Sequence, residues 1–280
     1  MELDPRSAGA EEGAPPVWRP SGLVTLTTDF GLQDPYVGIM KGVVHRACPG
    51  VTCIDLSHEI APQDVATAGF FVAHSWNYFP VGTVHVAVVD PGVGSKRAIL
   101  VAEEAGHAFL APDNGLLDAV LGADAQVFTL DEDRFALPER SSTFHGRDVF
   151  APAAGALAGG LAPAAAGEPR PGWLPSERDD PVRGVGTGGS IETEVVLVDR
   201  FGNLISGLDV GRLALDLGEW TVEAGGRLIP CAGTYTEVAP GEPLALVDSY
   251  GHLEVAVRDG DAARELNLGR GAVLTLRRRM

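Results

Sequence analysis

Asp90 and Arg97 lie seven residues apart in the run DPGVGSKR, and His145 stands between Phe144 and Gly146 in FHGRD. A carboxylate, a guanidinium and an imidazole drawn together can hold a water molecule, orient it for attack and accept its proton. The Pro-Gly turns between Asp90 and Arg97 allow the guanidinium to fold back onto the carboxylate. His145 lies at the mouth of a helix beside a glycine, where backbone can approach a ligand and an imidazole titrates near neutral pH. A third segment, TTDFG, places Asp29 next to Gly31. An ionised carboxylate offers two oxygens to a vicinal diol, so Asp29 is suited to grip both hydroxyls of a ribose. Asp34 and Tyr36, just downstream, can reach a ligand amine.

Taken singly, each of these has a plainer alternative: a turn-capping Asp, an ordinary ion pair, a packed histidine. Other chemistries fit less well. The Asp90 loop contains Lys96 and two glycines but not GxxxxGK[ST], and no GxGxxG occurs, so a phosphate cradle is a weak inference. Asp29-Phe30-Gly31 and His145-Gly146-Arg147-Asp148 echo protein-kinase motifs in the wrong order, with no glycine-rich loop before a strand lysine. Asp29, Asp55, His58 and Asp64 lack spacing diagnostic of a metal site, and Cys48, Cys53 and Cys231 form no CxxC pair, so no metal is expected.

The elements that must position these residues follow from periodicity. Leu23 to Thr28 reads as a strand, and Tyr36, Val37, Met40, Val43, Val44 and Ala47 share one helical face. Val51 to Leu56 and Val84 to Val89 are further strands, with a helix from Asp64 to Tyr78 between them. Ala98 to Val101 and Ala108 to Ala111 read as a hairpin, Leu116 to Leu121 as a short helix, and Asp148 to Ala158 as an apolar helix. A βαβαβ rhythm predicts an α/β N-terminal domain with a mostly parallel central sheet. Asp29 and Asp90 then fall at carboxyl ends of strands, where such sheets bind ligands. Beyond a Pro, Gly, Arg and Asp-rich stretch, Ile191 to Val198, Trp220 to Ala224, Pro243 to Val247, Leu253 to Val257 and Ala272 to Leu276 predict a smaller all-β C-terminal domain, a barrel or sandwich. The expected organisation is a disordered leader over 1–20, the α/β domain over 21–165, a linker over 166–190 and the β-barrel-like domain over 191–280.

The 280 residues carry a formal charge of -17, which repels nucleic acid across most of the surface. No apolar run reaches the ~18 residues of a membrane span, and the acidic, Pro-rich start does not read as a signal peptide. Three cysteines that cannot all be bridged suit a reducing compartment, so a cytoplasmic location is expected.

TTDFG (27–31), HEIAPQDV (58–65), FPVGTVHVAVVDPGVG (79–94), APDNGLL (111–117), FHGRDVFAP (144–152), DRFGN (199–203) and DSYGHLEVAV (248–257) together resemble the S-adenosylmethionine hydroxide adenosyltransferase family, kin to the adenosyl fluoride and chloride synthases. The match runs in order through both expected domains. It implies hydrolysis of S-adenosylmethionine to adenosine and L-methionine, with water or hydroxide attacking the ribose 5′ carbon and no cofactor beyond the substrate. The family's water-handling Asp, Arg and His correspond to Asp90, Arg97 and His145. Asp29 corresponds to the ribose-binding carboxylate, with Asp34 and Tyr36 in the stretch that meets the methionine end. Asp199 and Ser249 correspond to amino-acid contacts, and Phe201, Asn203, Tyr235 and the Val257 backbone to the adenine side. The resemblance also implies a homotrimer with active sites between the first domain of one subunit and the second domain of the next. Halogenating relatives carry Tyr at Asp90, and the fluoride enzymes Ser at Gly146 and Trp at Gln63, so this chain departs from the halide pattern. Tyr250 replaces an Arg that pairs with carboxylate in the fluoride enzymes, leaving that end to Ser249, and Arg258 stands where the hydrolases often have Asn. A halide-dependent adenosyltransferase and a non-catalytic adenosine or S-adenosylmethionine binder are the alternatives.

Overall fold

A computed structural model describes residues 18–175, 182–185 and 189–279. The leader expected over 1–20 lies, up to residue 17, outside the described residues. The chain parts at Ser176/Glu177 into two compact units.

The first unit opens with β1 (Leu23–Thr28), α1 (Tyr36–Ala47), β2 (Thr52–Ser57), α2 (Val65–Ala73) and β3 (Val84–Val88). It continues through β4 (Ile99–Glu104), β5 (His107–Pro112), β6 (Gln126–Leu130), α3 (Glu132–Phe135), α4 (Ala151–Ala158) and β7 (Gly167–Pro169). One sheet in the order β2-β1-β3-β5-β4-β6-β7 holds them together. Its first four strands are parallel, β4 is antiparallel to β5, and β6, antiparallel to β4, runs with the parallel group, so only β4 and β7 oppose it. This is the mostly parallel sheet that the alternation of strands and helices required. Val37, Met40 and Val44 bury one face of α1, which packs on α4. The approach is close at Gly155, where a Cβ would lie 2.4 Å from Ala47 Cβ, so any larger residue would force the helices apart.

Some local expectations differ from the structure for identifiable reasons. Residues 116–121 form successive turns around a Leu121 N–H to Leu117 carbonyl bond, not a regular helix. The helix expected from Asp148 begins as a π-helical segment, Gly146–Phe150, and becomes α-helical as α4 with Pro in its first turn. The stretch assigned to the linker contributes β7 to the first sheet, because Gly167 fits against Thr129, whose carbonyl oxygen would lie 1.9 Å from any Cβ there.

The second unit comprises β8 (Val182–Val185), β9 (Ile191–Val198), β10 (Leu204–Asp209), β11 (Trp220–Ala224), β12 (Arg227–Pro230), β13 (Pro243–Val247), β14 (His252–Val257), α5 (Ala262–Leu266) and β15 (Val273–Arg278). The strands pair antiparallel in the order β12-β11-β15-β9-β10-β14-β13, with β8 on β9. A bridge from Cys231 to Ala245 links the two ends, giving a nearly closed barrel. Alternation along β9 turns Ile191, Thr193 and Val195 inward, onto a core that includes Leu204, Val222, Val255 and Leu274.

At the amino ends of the parallel strands, buried His85 meets Thr25 Oγ1 through Nδ1 (2.8 Å) and His107 through Nε2 (3.1 Å). Burial first, and then His107, pushes His85 down to about 3, and burial pushes His107 down to about 4. Both folded values lie below the unfolded value of about 6.5, so neither ring contributes pH dependence above that pH. Below it the unfolded chain takes up protons that the fold refuses. Stability therefore falls as pH drops from about 6.5 toward 4, by up to ~1.4 kcal/mol per pH unit for each ring. Denaturant midpoints at pH 7 and pH 5 should fall less in His107→Phe than in wild type; equal slopes would contradict the assignment.

Candidate active site

Asp90 lies one residue beyond the end of β3, and its loop is pinned from several directions. Asn114 Nδ2 donates to the Val89 carbonyl (2.9 Å), holding the strand end to the turn after β5. Gly94 has φ +78°, and a Cβ there would sit 2.5 Å from the Ser142 carbonyl oxygen, so glycine lets this loop lie against the segment leading to His145. Arg97 returns to Asp90 as the Pro-Gly spacing allows: Nε lies 3.1 and 2.9 Å from the two carboxylate oxygens and Nη2 2.5 Å from Oδ2. The side chains are only 5% and 9% exposed, which makes this a desolvated pair and not a surface one. Arg97 Nη2 also reaches His145 Nδ1 at 3.0 Å. The three residues are thus one hydrogen-bonded unit.

His145 is buried, and burial lowers its proton affinity further than any single neighbour does. Arg140 and then Arg97 act in the same sense, while Glu132 and Asp90 oppose them. The net effect holds the ring below its ordinary value, so it is neutral at neutral pH. Next to it, Asp148 is fully buried and accepts from Ser141 N–H (2.8 Å) and from Arg147 Nε (2.5 Å). That carboxylate fixes the loop carrying His145 and is already committed.

Asp29 is held differently. Gln63 adopts φ 69°, a left-handed conformation costly for a side-chain-bearing residue, and its N–H donates to Asp29 Oδ2 at 2.8 Å. Gly31, also left-handed, donates its N–H to the His58 carbonyl (2.8 Å). Buried His58 joins Thr28 Oγ1 (2.7 Å) to Asp55 (2.9 Å), so it is an internal strut beneath the Asp29 turn. Asp29, Asp90 and His145 line one cavity of about 320 Å³, with Phe30, Gln63 and Phe144 among its walls. Tyr36 packs edge-on against Phe30 and Phe144 (centroids 6.2 and 5.2 Å), but it and Asp34 are both exposed and outside the lining. At Gly146 a Cβ would lie 3.1 Å from Met40 Sδ and 3.2 Å from the Phe30 ring, so a larger residue would have to displace a cavity wall.

In the second unit, two turns share one design. Asp199 Oδ1 accepts from the N–H groups of Phe201 and Asn203 (both 2.8 Å), and Asp248 Oδ1 from those of Tyr250 and His252 (both 2.8 Å). Gly202 and Gly251 close these turns at φ 84° and 88°. Phe201 is 74% exposed at one tip, and Ser249 and Tyr250 are exposed at the other. Asn203 is buried with Nδ2 on Asp199 Oδ2 (3.0 Å). Val257 has its side chain in the core and its carbonyl bonded to Gly260 N–H. Tyr235 donates to Glu254 (2.7 Å), a carboxyl that burial pushes up to about 7.

Sequence reasoning missed Glu132, Arg140, Glu254 and the twin turns. Only the turns had a legible signal, the shared spacing D-x-[FY]-G-x. Among the described residues no group of three or more His, Cys, Asp or Glu is arranged to hold a metal ion, and no helix is long and apolar enough to cross a membrane.

Residues 24–167 match the model of the SAM hydroxide adenosyltransferase N-terminal domain, and residues 193–275 that of the C-terminal domain. An (R)-S-adenosyl-L-methionine hydrolase of Thermus thermophilus is 41% identical over 90% of this chain and 98% of its own length. One from Salinispora arenicola is 38% identical over 86% and 92%. A fluorinase of an Actinoplanes species is more distant, at 24% identity over 91% and 97%. The crystal structure of an uncharacterised conserved protein from Thermotoga maritima superposes with a TM-score of 0.80 at 31% identity, over 91% of this chain and all of that one.

Proposed function

Because the chain belongs to the SAM hydroxide adenosyltransferase family, we propose that it hydrolyses S-adenosylmethionine to adenosine and L-methionine. Water or hydroxide forms a bond to the ribose 5′ carbon in line with the carbon–sulfur bond. As that bond breaks, its electron pair goes to sulfur, which changes from sulfonium to neutral thioether. The proton leaves the water for the site's bases. The substrate itself carries the leaving group, and the reaction requires no cofactor.

The observation that carries this reading is the hydrogen-bonded Asp90–Arg97–His145 unit, whose carboxylate and imidazole line the cavity that Asp29 also lines. In it the Arg97 cation favours hydroxide character in a bound water, while Asp90 and neutral His145 orient the nucleophile and accept its proton. Asp29, its Oδ2 fixed by Gln63, presents a carboxylate to the ribose hydroxyls. Phe30, Phe144 and Tyr36 form an aromatic wall suited to the methionine end of a sulfonium substrate. From the second unit, Asp199 and Ser249 serve the amino-acid end, and Phe201, Asn203, Tyr235 and the Val257 backbone the adenine. Incubation with S-adenosylmethionine should give equal amounts of adenosine and methionine, unaltered by chloride or fluoride. A 5′-halo-adenosine formed on adding halide would move the assignment to a halide-dependent transferase, and binding without turnover would make the chain a non-catalytic binder.

The same reading extends to assembly and location. A homotrimer with sites between subunits is supported by exposed Leu32 and Tyr36 beside the first unit's cavity residues and by exposed Phe201 and Tyr250 at the second unit's turn tips. Light scattering should report three times the 29.2 kDa chain mass, and a monomeric mass would contradict the trimer. Three free cysteines support a cytoplasmic location.

A further inference from the structure

Resting on that hydrolase reading, the geometry points to Arg140, held by Glu132, as a positioning residue that brackets His145 with Arg97 and keeps the imidazole neutral in the resting site. Both ring nitrogens face guanidinium donors: Arg97 Nη2 lies 3.0 Å from Nδ1, and Arg140 Nη2 and Nε lie 3.3 and 3.4 Å from Nε2. A neutral imidazole has one lone pair to offer in its plane, so it accepts from one arginine at a time. An imidazolium has none and would turn an N–H toward each guanidinium. The bracket is itself anchored. Glu132, at the start of α3, forms an ion pair with Arg140 and places its other oxygen 3.8 Å from Arg97 Nη1, a buried group with no hydrogen-bond acceptor. Glu132 thereby ties together the two arginines that flank the imidazole.

The charged groups facing His145 come from several elements. Asp90 and Arg97 approach from the loop after β3, Glu132 from α3, Arg140 from the loop after α3, and Asp148 with its partner Arg147 from the π-helical segment. Asp148 is already saturated by Arg147 and Ser141. Beyond burial, the charge balance at the ring is therefore set by two arginines against Asp90 and Glu132. A ring that starts each turnover neutral is a base able to take the water's proton, and the two arginines favour release of that proton before the next turnover.

The test follows the ring directly, in the full chain without substrate, by ¹H–¹⁵N imidazole correlation spectra across pH, with the His145 signal assigned from its loss in His145→Gln. Arg140→Met removes one bracket, so the His145 midpoint should rise by roughly half a unit to one unit. Glu132→Gln keeps an acceptor for Arg140 but removes the opposing charge, so the midpoint should fall. Arg140→Lys should restore part of the wild-type value. Shifts of opposite sign distinguish the bracket from simple disruption of the loop. An unchanged midpoint in Arg140→Met, or a rise in both variants, would overturn the proposal. The low-pH limb of kcat should move with the midpoint in Arg140→Met while KM changes by less than about threefold. A wild-type chain without turnover would refute the hydrolase reading and leave the spectroscopic result to decide the bracket.

Discussion

Asp90→Asn is expected to lower kcat by about 10³-fold while the affinity for S-adenosylmethionine changes by no more than about tenfold, because general-base and orienting groups contribute ~10²–10⁴. The substitution preserves side-chain shape and leaves an oxygen that can accept from Arg97. It removes the negative charge that balances Arg97, and it puts an amide donor where the carboxylate accepts. Water would then be held by the wrong hydrogen-bond pattern and would lack its proton acceptor. Asp90 is joined to Arg97 by contacts of 2.5 to 3.1 Å and is only 5% exposed in its side chain, so bulk water cannot readily replace it. Steady-state kinetics beside calorimetric binding separates the two effects. Wild-type kcat would remove Asp90 from the mechanism, and lost binding with intact single-turnover chemistry would make it a substrate ligand.

Arg97→Met should have the second largest effect, in both stability and rate. Breaking a buried ion pair from one side leaves the other charge uncompensated, at a cost of about 3–5 kcal/mol. Here the orphan would be Asp90, and His145 would lose its donor at Nδ1. A denaturant titration should show that loss in the midpoint at unchanged slope, and turnover should fall at least as far as in Asp90→Asn. Arg97→Lys tests whether charge alone suffices. A lysine cannot span both carboxylate oxygens and the imidazole together, so it should recover part of the stability and little of the rate. Full activity in the Lys variant would show that the planar fork is dispensable.

What could be read from the residues is what local chemistry writes into short segments. The alternation of LVTLTT, the buried spacing of Val37, Met40 and Val44, and the Pro-Gly punctuation after Asp90 identified β1, α1 and the Asp90–Arg97 loop without tertiary knowledge. Strands β6, β10 and β12 were missed because they are short and weakly patterned: QVFTL, LISGLD with an internal glycine, and the four-residue RLIP. The three residues proposed to handle water were legible through their neighbours, two of them sharing a single loop. Glu132 and Arg140 were not, since they sit among ordinary helix-start and loop residues and acquire meaning only when folding brings them to His145. The strained backbone of Gln63 is likewise a tertiary property, because nothing in APQDV marks Gln as left-handed. Only its contact with Asp29 shows what the strain accomplishes. The twin turns around Asp199 and Asp248 were available as a pattern, and their equivalence emerged once both were seen to cap backbone N–H groups in the same way.

The central claim is that water attached to no metal or cofactor, held by Asp90, Arg97 and His145, attacks the ribose 5′ carbon. Turnover of S-adenosylmethionine in ¹⁸O-labelled water, followed by mass spectrometry of the nucleoside, tests it most directly. The account predicts one ¹⁸O atom in the 5′ hydroxyl of adenosine and none in methionine. Adenosine without label, label in methionine, or a 5′-substituted nucleoside in place of adenosine would contradict it.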